Sequence, residues 1–318
     1  MSDHFLVTGG AGFIGCNIAR ALLKKGHKVR VLDNFSTGKR ENLADIATAI
    51  EIFEGDLADL SHCQKAVESI DYILHLGALP SVSRSVQYPM DSHRVNITGT
   101  LNLLLAARDA KVKRLVFSSS SSIYGDNPVL PKHEELIPAP ISPYALSKLT
   151  GEHYCKIFTM QYGLETMCLR YFNVFGPYQN PFSEYAAVIP RFVCAYLAGE
   201  RPVIYGDGLQ TRDFTFIDYI VEANIQSCYV HKKFVGESMN VAVGNPITVL
   251  DLAQKIAKIL NVHLSPQHEK ARLGDIKHSF ADVKKINHVL GLKFQDNLDE
   301  CLEKTVHWFK HASSFIKN

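Results

Sequence analysis

The run Phe5-Leu6-Val7-Thr8 passes directly into Gly9-Gly10-Ala11-Gly12-Phe13-Ile14-Gly15, and no other stretch constrains the fold as strongly. Strand-forming residues lead into glycines spaced Gly-x-x-Gly-x-x-Gly, and a helical apolar period follows. At that spacing Gly9 permits the tight turn out of a strand. Gly12 lets backbone approach a pyrophosphate, and Gly15 lets the next helix pack closely. The free amides at the positive end of that helix then face an anion. A second apolar run, Val29 to Leu32, ends at Asp33, eighteen residues beyond Gly15. A carboxylate there accepts hydrogen bonds from adenosine ribose hydroxyls and repels a 2′-phosphate. Strand, turn, helix and acid together point to NAD rather than NADP. Lys39 and Arg40, six and seven residues after Asp33, read as a solvated loop edge.

The first half alternates strand and helix patterns. Strands are expected at 5–8, 28–32, 50–53, 72–76, 114–119 and 165–171, with helical periods at about 14–25, 62–68, 92–109 and 144–162. Lys24-Lys25-Gly26 reads as a glycine-capped helix end. Such alternation implies a doubly wound (Rossmann) parallel sheet with helices on both faces, hence an α/β fold. Beyond it, 174–187 reads as loop. Helices are expected at 188–198, 218–230, 248–260 and 298–311, with a returning strand at 213–216. A smaller C-terminal α/β domain is thus expected to be interwoven with the first. Residues 1–173 plus about 212–240 form the NAD-binding part; about 174–211 plus 241–318 form the nucleotide-sugar part.

Composition fits an enzyme of ordinary globular character. The 318 residues are 46% hydrophobic and 21% charged, enough for a large core. A net charge of +2 gives no reason to expect nucleic acid or an anionic membrane as partner. No apolar run approaches a membrane span, and with the first strand so early no signal peptide is expected. Seven scattered cysteines, none at metal-ligand spacing, imply reduced thiols in a cytoplasmic protein without a metal site.

Two further patterns carry chemistry. In Tyr144-Ala145-Leu146-Ser147-Lys148 a helix sets phenol and ammonium on one face. A neighbouring ammonium, helped by a cationic nicotinamide, is expected to favour the phenolate and lower the tyrosine pKa, so that Tyr144 can take a hydroxyl proton while a hydride leaves the same carbon. Lys148 can also hold the nicotinamide ribose. The run Ser118-Ser119-Ser120-Ser121-Ser122 follows a strand, where carboxyl ends line the ligand crevice. A serine there can bond the reacting oxygen, although five in a row cannot all be catalytic.

With these residues in hand the chain resembles the extended short-chain dehydrogenase/reductases, specifically their nucleotide-sugar 4-epimerases. The resemblance rests on TGGAGFIG (8–15), LDNFSTG (32–38), GDL (55–57), HLGAL (75–79), SSSSSIYGD (118–126), SPYALSK (142–148), LRYFNVFGP (169–177), YGDGLQTRDF (205–214) and RLGD (272–275). It covers nearly the whole length. It implies Ser120, Tyr144 and Lys148 as the catalytic group. It implies NAD held by Gly9, Gly12, Phe13, Ile14 and Gly15, by Asp33, Asn34, Ser36, Thr37 and Gly38 around the adenosine, and by Asp56 and Leu57 near the adenine. Leu76, Gly77, Ala78, Ser118 and Tyr171 complete that lining. It places Asn173, Arg212, Arg272 and Asp275 on the nucleotide diphosphate, for which guanidinium forks are well suited.

The same resemblance bears on the sugar. Ser279, four residues after Asp275, falls where a bulky aromatic restricts N-acetylated sugars, and Gln179, Ser121 and Ser122 fall on positions that contact the N-acetyl sugar. Pro80 stands where those enzymes more often carry glycine. The expected reaction is C4 epimerisation of UDP-N-acetylglucosamine and UDP-N-acetylgalactosamine, with UDP-glucose and UDP-galactose also open. Tyr144 and Ser120 remove the 4-hydroxyl proton, hydride passes to tightly bound NAD, and the keto sugar turns over and takes it back. Alternatives are a UDP-glucuronate 4-epimerase or decarboxylase and, outside enzymes, an NAD-sensing or scaffold protein. The helices at about 92–109 and 144–162 build dimers in this family, so a homodimer is expected.

Overall fold

The computed structural model describes residues 2–181, 187–271 and 277–312. Its centre is a parallel sheet of β1 (His4–Thr8), β2 (Lys28–Asp33), β3 (Glu51–Glu54), β4 (Tyr72–His75), β5 (Arg114–Ser120), β6 (Glu165–Tyr171) and β7 (Val235–Val241). The strand order is β7-β6-β5-β4-β1-β2-β3. Every connection in such a sheet is a crossover, and both faces are covered. Phe5 and Val7 enter one core cluster and Leu6 the other. Helices Phe13–Lys24 and Ile217–Tyr229 pack together on the first face; Leu60–Ala66, Gly99–Asp109 and Pro143–Tyr162 cover the second. The order reverses between β1 and β4, and that switch point opens the crevice in which doubly wound folds bind ligands.

The first six strands fall within a residue or so of their sequence-based positions, and the Gly26 cap forms with φ 82°. Three expectations need correction. The helix at 92–109 is interrupted: Pro89–Ser92 is α-helical, His93–Thr98 is π-helical, and Gly99–Asp109 resumes the α form. The strand at 213–216 is two short pieces, Thr211–Arg212 and Thr215–Phe216, which pair in different sheets. The seventh strand was not legible, because Gly236 (φ 68°) accompanies a register shift between Val235 and Glu237 and breaks the alternation.

The remaining elements stand beside the carboxyl ends of the sheet. Helices Val188–Leu197, Val249–Leu260 and Leu298–His311 pack on one another. Ile189, Phe192, Leu252 and Leu302 belong to the same apolar cluster as Phe5 and Val7, so one core runs through both parts. Asp213 ties the parts at the backbone: its carboxylate accepts from Val243 N (3.2 Å), Gly244 N (3.0 Å) and Ala281 N (3.2 Å).

Candidate active site

A cleft of about 480 Å³ opens at the switch point. Gly9 sits at φ 66°, and a Cβ there would lie 2.8 Å from Gly77 Cα, so the turns after β1 and β4 touch. A Cβ on Gly15 would lie 2.3 Å from Gly9 O, whereas one on Gly12 would meet only that oxygen, at 3.2 Å. The helix at 13–24 therefore presses on its own entry turn, and no acidic residue occupies its first turn. This leaves an amide-lined positive end for an anion.

Asp33 ends β2 buried, its carboxylate accepting from Ala11 N (2.9 Å) and Phe35 N (2.8 Å). Burial pushes its pKa up, and these two amides counter the shift. A side chain at Gly38 would lie 3.0 Å from Asp33 Oδ2 and cover the carboxylate. The glycine thus keeps a hydrogen-bond acceptor accessible to a diol. Arg40 is committed elsewhere, stacked 3.9 Å over Phe35 and paired with Glu54. The turns, the amide end and Asp33 fit an NAD adenosine and pyrophosphate.

The floor is held by one directed hydrogen-bond chain. Thr100 Oγ1 donates to Asn96 O (2.6 Å) and therefore accepts from His75 Nε2 (3.0 Å). A neutral ring then accepts the Thr8 hydroxyl at Nδ1 (2.7 Å), and Thr8 Oγ1 accepts from Gly77 N (3.1 Å). Burial, with help from the Lys148 charge, pushes His75 down to about 3, consistent with a neutral ring. Asn96, inside the π-helical turn, clasps Leu79 through N (2.8 Å) and O (3.2 Å) and donates to Ser147 Oγ (3.1 Å). Sequence reasoning missed Thr8, His75 and Asn96 as site supports, although HLGAL carried His75.

At the chemical end, helix Pro143–Tyr162 starts at Ser142, whose side chain accepts from Ala145 N (3.1 Å), with Pro143 in the first turn. Gly151 lets it approach β5: a Cβ there would lie 2.3 Å from the Phe117 ring. Lys148, buried, donates to Ser118 O (2.7 Å), and its Nζ lies 5.9 Å from the Tyr144 ring centre. Burial lowers the Lys148 pKa to about 8. For Tyr144 in the protein alone, burial raises the pKa and a hydrogen bond with Ser120 counters the shift. Without further positive charge beside it, desolvation of the phenolate outweighs the ammonium one turn away.

The structure brings every sequence-derived cofactor residue to this one cleft, from Gly9 to Tyr171, together with Ser120, Ser121, Ser122, Asn173 and Gln179. Arg212 stands in an adjoining chamber of about 840 Å³, which shares Asn173, Val174 and Ala187 with the cleft. Val188, Arg191, Tyr205 and Gln210 also line that chamber and were missed. Tyr205 and Gln210 lie within YGDGLQTRDF, whereas Arg191 sits in an amphipathic helix without a motif. Ser279 is not among the residues lining either space; it is half-buried in a strand paired with Thr211–Arg212. Arg272 and Asp275 lie outside the described residues. Among the described residues no cluster of three or more metal-ligating side chains occurs, and no helix is long and apolar enough to cross a membrane.

The pattern of the NAD dependent epimerase/dehydratase family matches residues 5–242. A UDP-N-acetylglucosamine 4-epimerase from Methanobrevibacter ruminantium M1, solved with UDP-N-acetylmuramic acid, is 42% identical with a TM-score of 0.93, over 98% of this chain and 99% of that one. A UDP-glucose 4-epimerase from Thermus thermophilus, solved with NAD, is 34% identical with a TM-score of 0.88, over 97% and 99%. A UDP-glucuronate 4-epimerase from Thermodesulfobacterium geofontis is 34% identical over 328 residues, 99% of this chain and 98% of that protein.

Proposed function

We propose, for a chain that belongs to the NAD dependent epimerase/dehydratase family and is an NAD-dependent nucleotide-sugar 4-epimerase, that its preferred pair is UDP-N-acetylglucosamine and UDP-N-acetylgalactosamine. One observation carries the choice of sugar. Gln179 Oε1 and Ser122 Oγ, on residues lining the catalytic end, are buried without a hydrogen-bond partner. Gln179 Nε2 donates to Val174 O (3.0 Å), leaving Oε1 unmatched. Buried polar atoms without partners are rare and costly, so these two side chains on the cleft wall are expected to turn toward a bound ligand. An N-acetyl group offers an N–H donor and a carbonyl acceptor on separate atoms, one for Gln179 and one for Ser122.

Bound NAD supplies a reversible hydride acceptor at the sugar C4. The protein's part is protons and placement. Tyr144 takes the 4-hydroxyl proton, Ser120 bonds both the phenol and the same sugar oxygen, and Lys148 supplies positive charge and a ribose contact. Asn173 and Arg212 hold the nucleotide diphosphate from the larger chamber and leave the sugar free to turn, and Arg272 and Asp275 are assigned to the same nucleotide. Residues 1–173 with about 212–240 serve the cofactor; the rest serve the nucleotide sugar. The copies pair through an exposed stripe on helix Pro143–Tyr162, where Leu146, Ile157 and Met160 recur at helical spacing. The protein works in the cytoplasm, in keeping with its seven free cysteines.

Gln179→Leu tests the sugar assignment. It should lower kcat/KM for the N-acetylated pair about tenfold relative to UDP-glucose, the usual scale for one unsatisfied polar partner. Equal change for both pairs would remove Gln179 from the recognition of the acetamido group.

A further inference from the structure

The serine run holds one residue that the chemistry does not use. All five serines border the cleft; Ser118 supplies a carbonyl to Lys148 and Ser120 bonds Tyr144, whereas the Ser119 hydroxyl is spent inside the protein. Ser119 is buried and its hydroxyl donates to Glu152 Oε1. Glu152 lies one turn beyond Lys148 on the same helix, 6% exposed. It forms a two-point ion pair with Arg170, Nε to Oε1 at 2.9 Å and Nη2 to Oε2 at 2.7 Å, and accepts Ser238 Oγ at 2.8 Å. Arg170 spends its third nitrogen on Tyr124: Nη1 donates to the phenol oxygen at 2.9 Å, and that hydroxyl donates to Asn240 Oδ1 at 2.7 Å.

The register explains how these groups meet. Ser119, Arg170 and Asn240 are direct partners across β5, β6 and β7. Tyr124 closes the 3₁₀ turn that follows Ser120. One buried ion pair therefore holds the strand end at Ser119 and the turn at Tyr124. Ser120, Ser121 and Ser122 lie between those two anchors.

A buried ion pair is a poor stabiliser, because removing two charges from water costs about as much as their attraction returns. Its retention calls for another reason. The Glu152 charge is not what tunes the catalytic groups: burial alone accounts for the shift at Lys148, and burial with the Ser120 bond accounts for Tyr144. What the pair does supply is a fixed backbone on both sides of the reacting hydroxyl.

We propose that Glu152 and Arg170 are positioning residues. Through Ser119 and Tyr124 they clamp the Ser120–Ser122 loop so that Ser120 meets Tyr144 and the sugar oxygen. The proposal rests on the role given to Ser120 and Tyr144 above. Proton transfer falls steeply when reacting atoms are misplaced by a fraction of an ångström, so a loosened loop costs rate before it costs binding.

Ser119→Ala and Tyr124→Phe each cut one anchor and leave the ion pair intact, so neither creates an unpaired charge. Each purified holoenzyme is assayed on whichever UDP-hexose the wild type converts, with kcat, KM, NAD content and melting temperature measured together. The expected result is a kcat lower by about three- to tenfold, with KM within about twofold and NAD content unchanged. Wild-type kcat in both variants, with an active wild type, would overturn the clamp alone. So would a fall in melting temperature or NAD content with normal kcat for the folded, loaded fraction, because that pattern marks a purely structural network. A wild type that converts no UDP-hexose would remove the reading of the site, and the clamp with it.

Discussion

The cleft and the larger chamber share Asn173, Val174 and Ala187, yet they are built in opposite ways. The cleft is cut into the ends of one sheet, and its polar groups are mostly engaged inside the protein. Asp33 is held by two amides, Lys148 by a carbonyl, and the floor by the Thr8–His75–Thr100 chain. The chamber is assembled from separate segments: helix 188–197, the strand Val203–Tyr205, the stretch 210–214, Val249 and Gln267. A rigid cleft suits a cofactor that stays bound through many turnovers and a proton transfer that tolerates little misplacement. A chamber drawn from several segments suits a ligand that enters and leaves. The boundary then divides rate from affinity.

Tyr144→Phe should break the comparison on the cleft side most severely. The ring still packs, but the group that takes the proton is gone, so kcat should fall ~10²–10⁴-fold with NAD retained. Turnover near wild type, measured on loaded protein, would remove Tyr144 as the base.

Lys148→Met probes the cost of keeping an ammonium buried. With its pKa about 8 against an ordinary 10.5, the unfolded chain holds that proton more tightly than the folded one. Lys148 therefore opposes folding below about pH 8, and the penalty fades as pH climbs from about 8 to 10.5. Relative to Lys148→Met, the wild type should gain stability between pH 7 and pH 10 by on the order of 2 kcal/mol, about thirtyfold in the folding equilibrium. Denaturation midpoints of both proteins at the two pH values check this, and a constant difference would show that the ammonium is not penalised.

On the chamber side, Arg212→Ala should raise KM for the UDP-sugar about tenfold and leave NAD content and kcat near wild type, since a charge-assisted contact to phosphate is lost in ground and transition states alike. A fall in kcat at constant KM would place Arg212 in the cleft's chemistry instead. The mildest change is expected from Asp33→Ala, a loosening of NAD by roughly tenfold or less with weaker discrimination against NADP. Titration with both cofactors measures it, and an unchanged ratio would show that the buried carboxylate does not face the ribose.

The same contrast governs what could be read from sequence. The residues proposed for the cofactor lie mostly in short motifs at strand ends, where apolar runs fix the strands and glycine spacing fixes the turns, so linear order maps onto space. Arg191 could not be read in this way, because its place depends on how helix 188–197 docks, a long-range event with no local signal. Asn96 was hidden differently: an apolar helical period does not distinguish a π turn from an α turn. The upward pull of burial on Tyr144 was not legible, because spacing reveals a neighbouring ammonium but not the depth at which both are buried. The two orphaned atoms at Gln179 and Ser122 needed coordinates, since sequence cannot say which polar groups the protein leaves unpaired.

The most direct test is turnover of UDP-N-acetylglucosamine and UDP-glucose side by side, by the purified protein with no cofactor added. UDP-N-acetylgalactosamine should form on NAD the protein already carries, with a higher kcat/KM than for the unsubstituted pair. Conversion of UDP-glucose alone, or of UDP-glucuronate in preference to both, would contradict it.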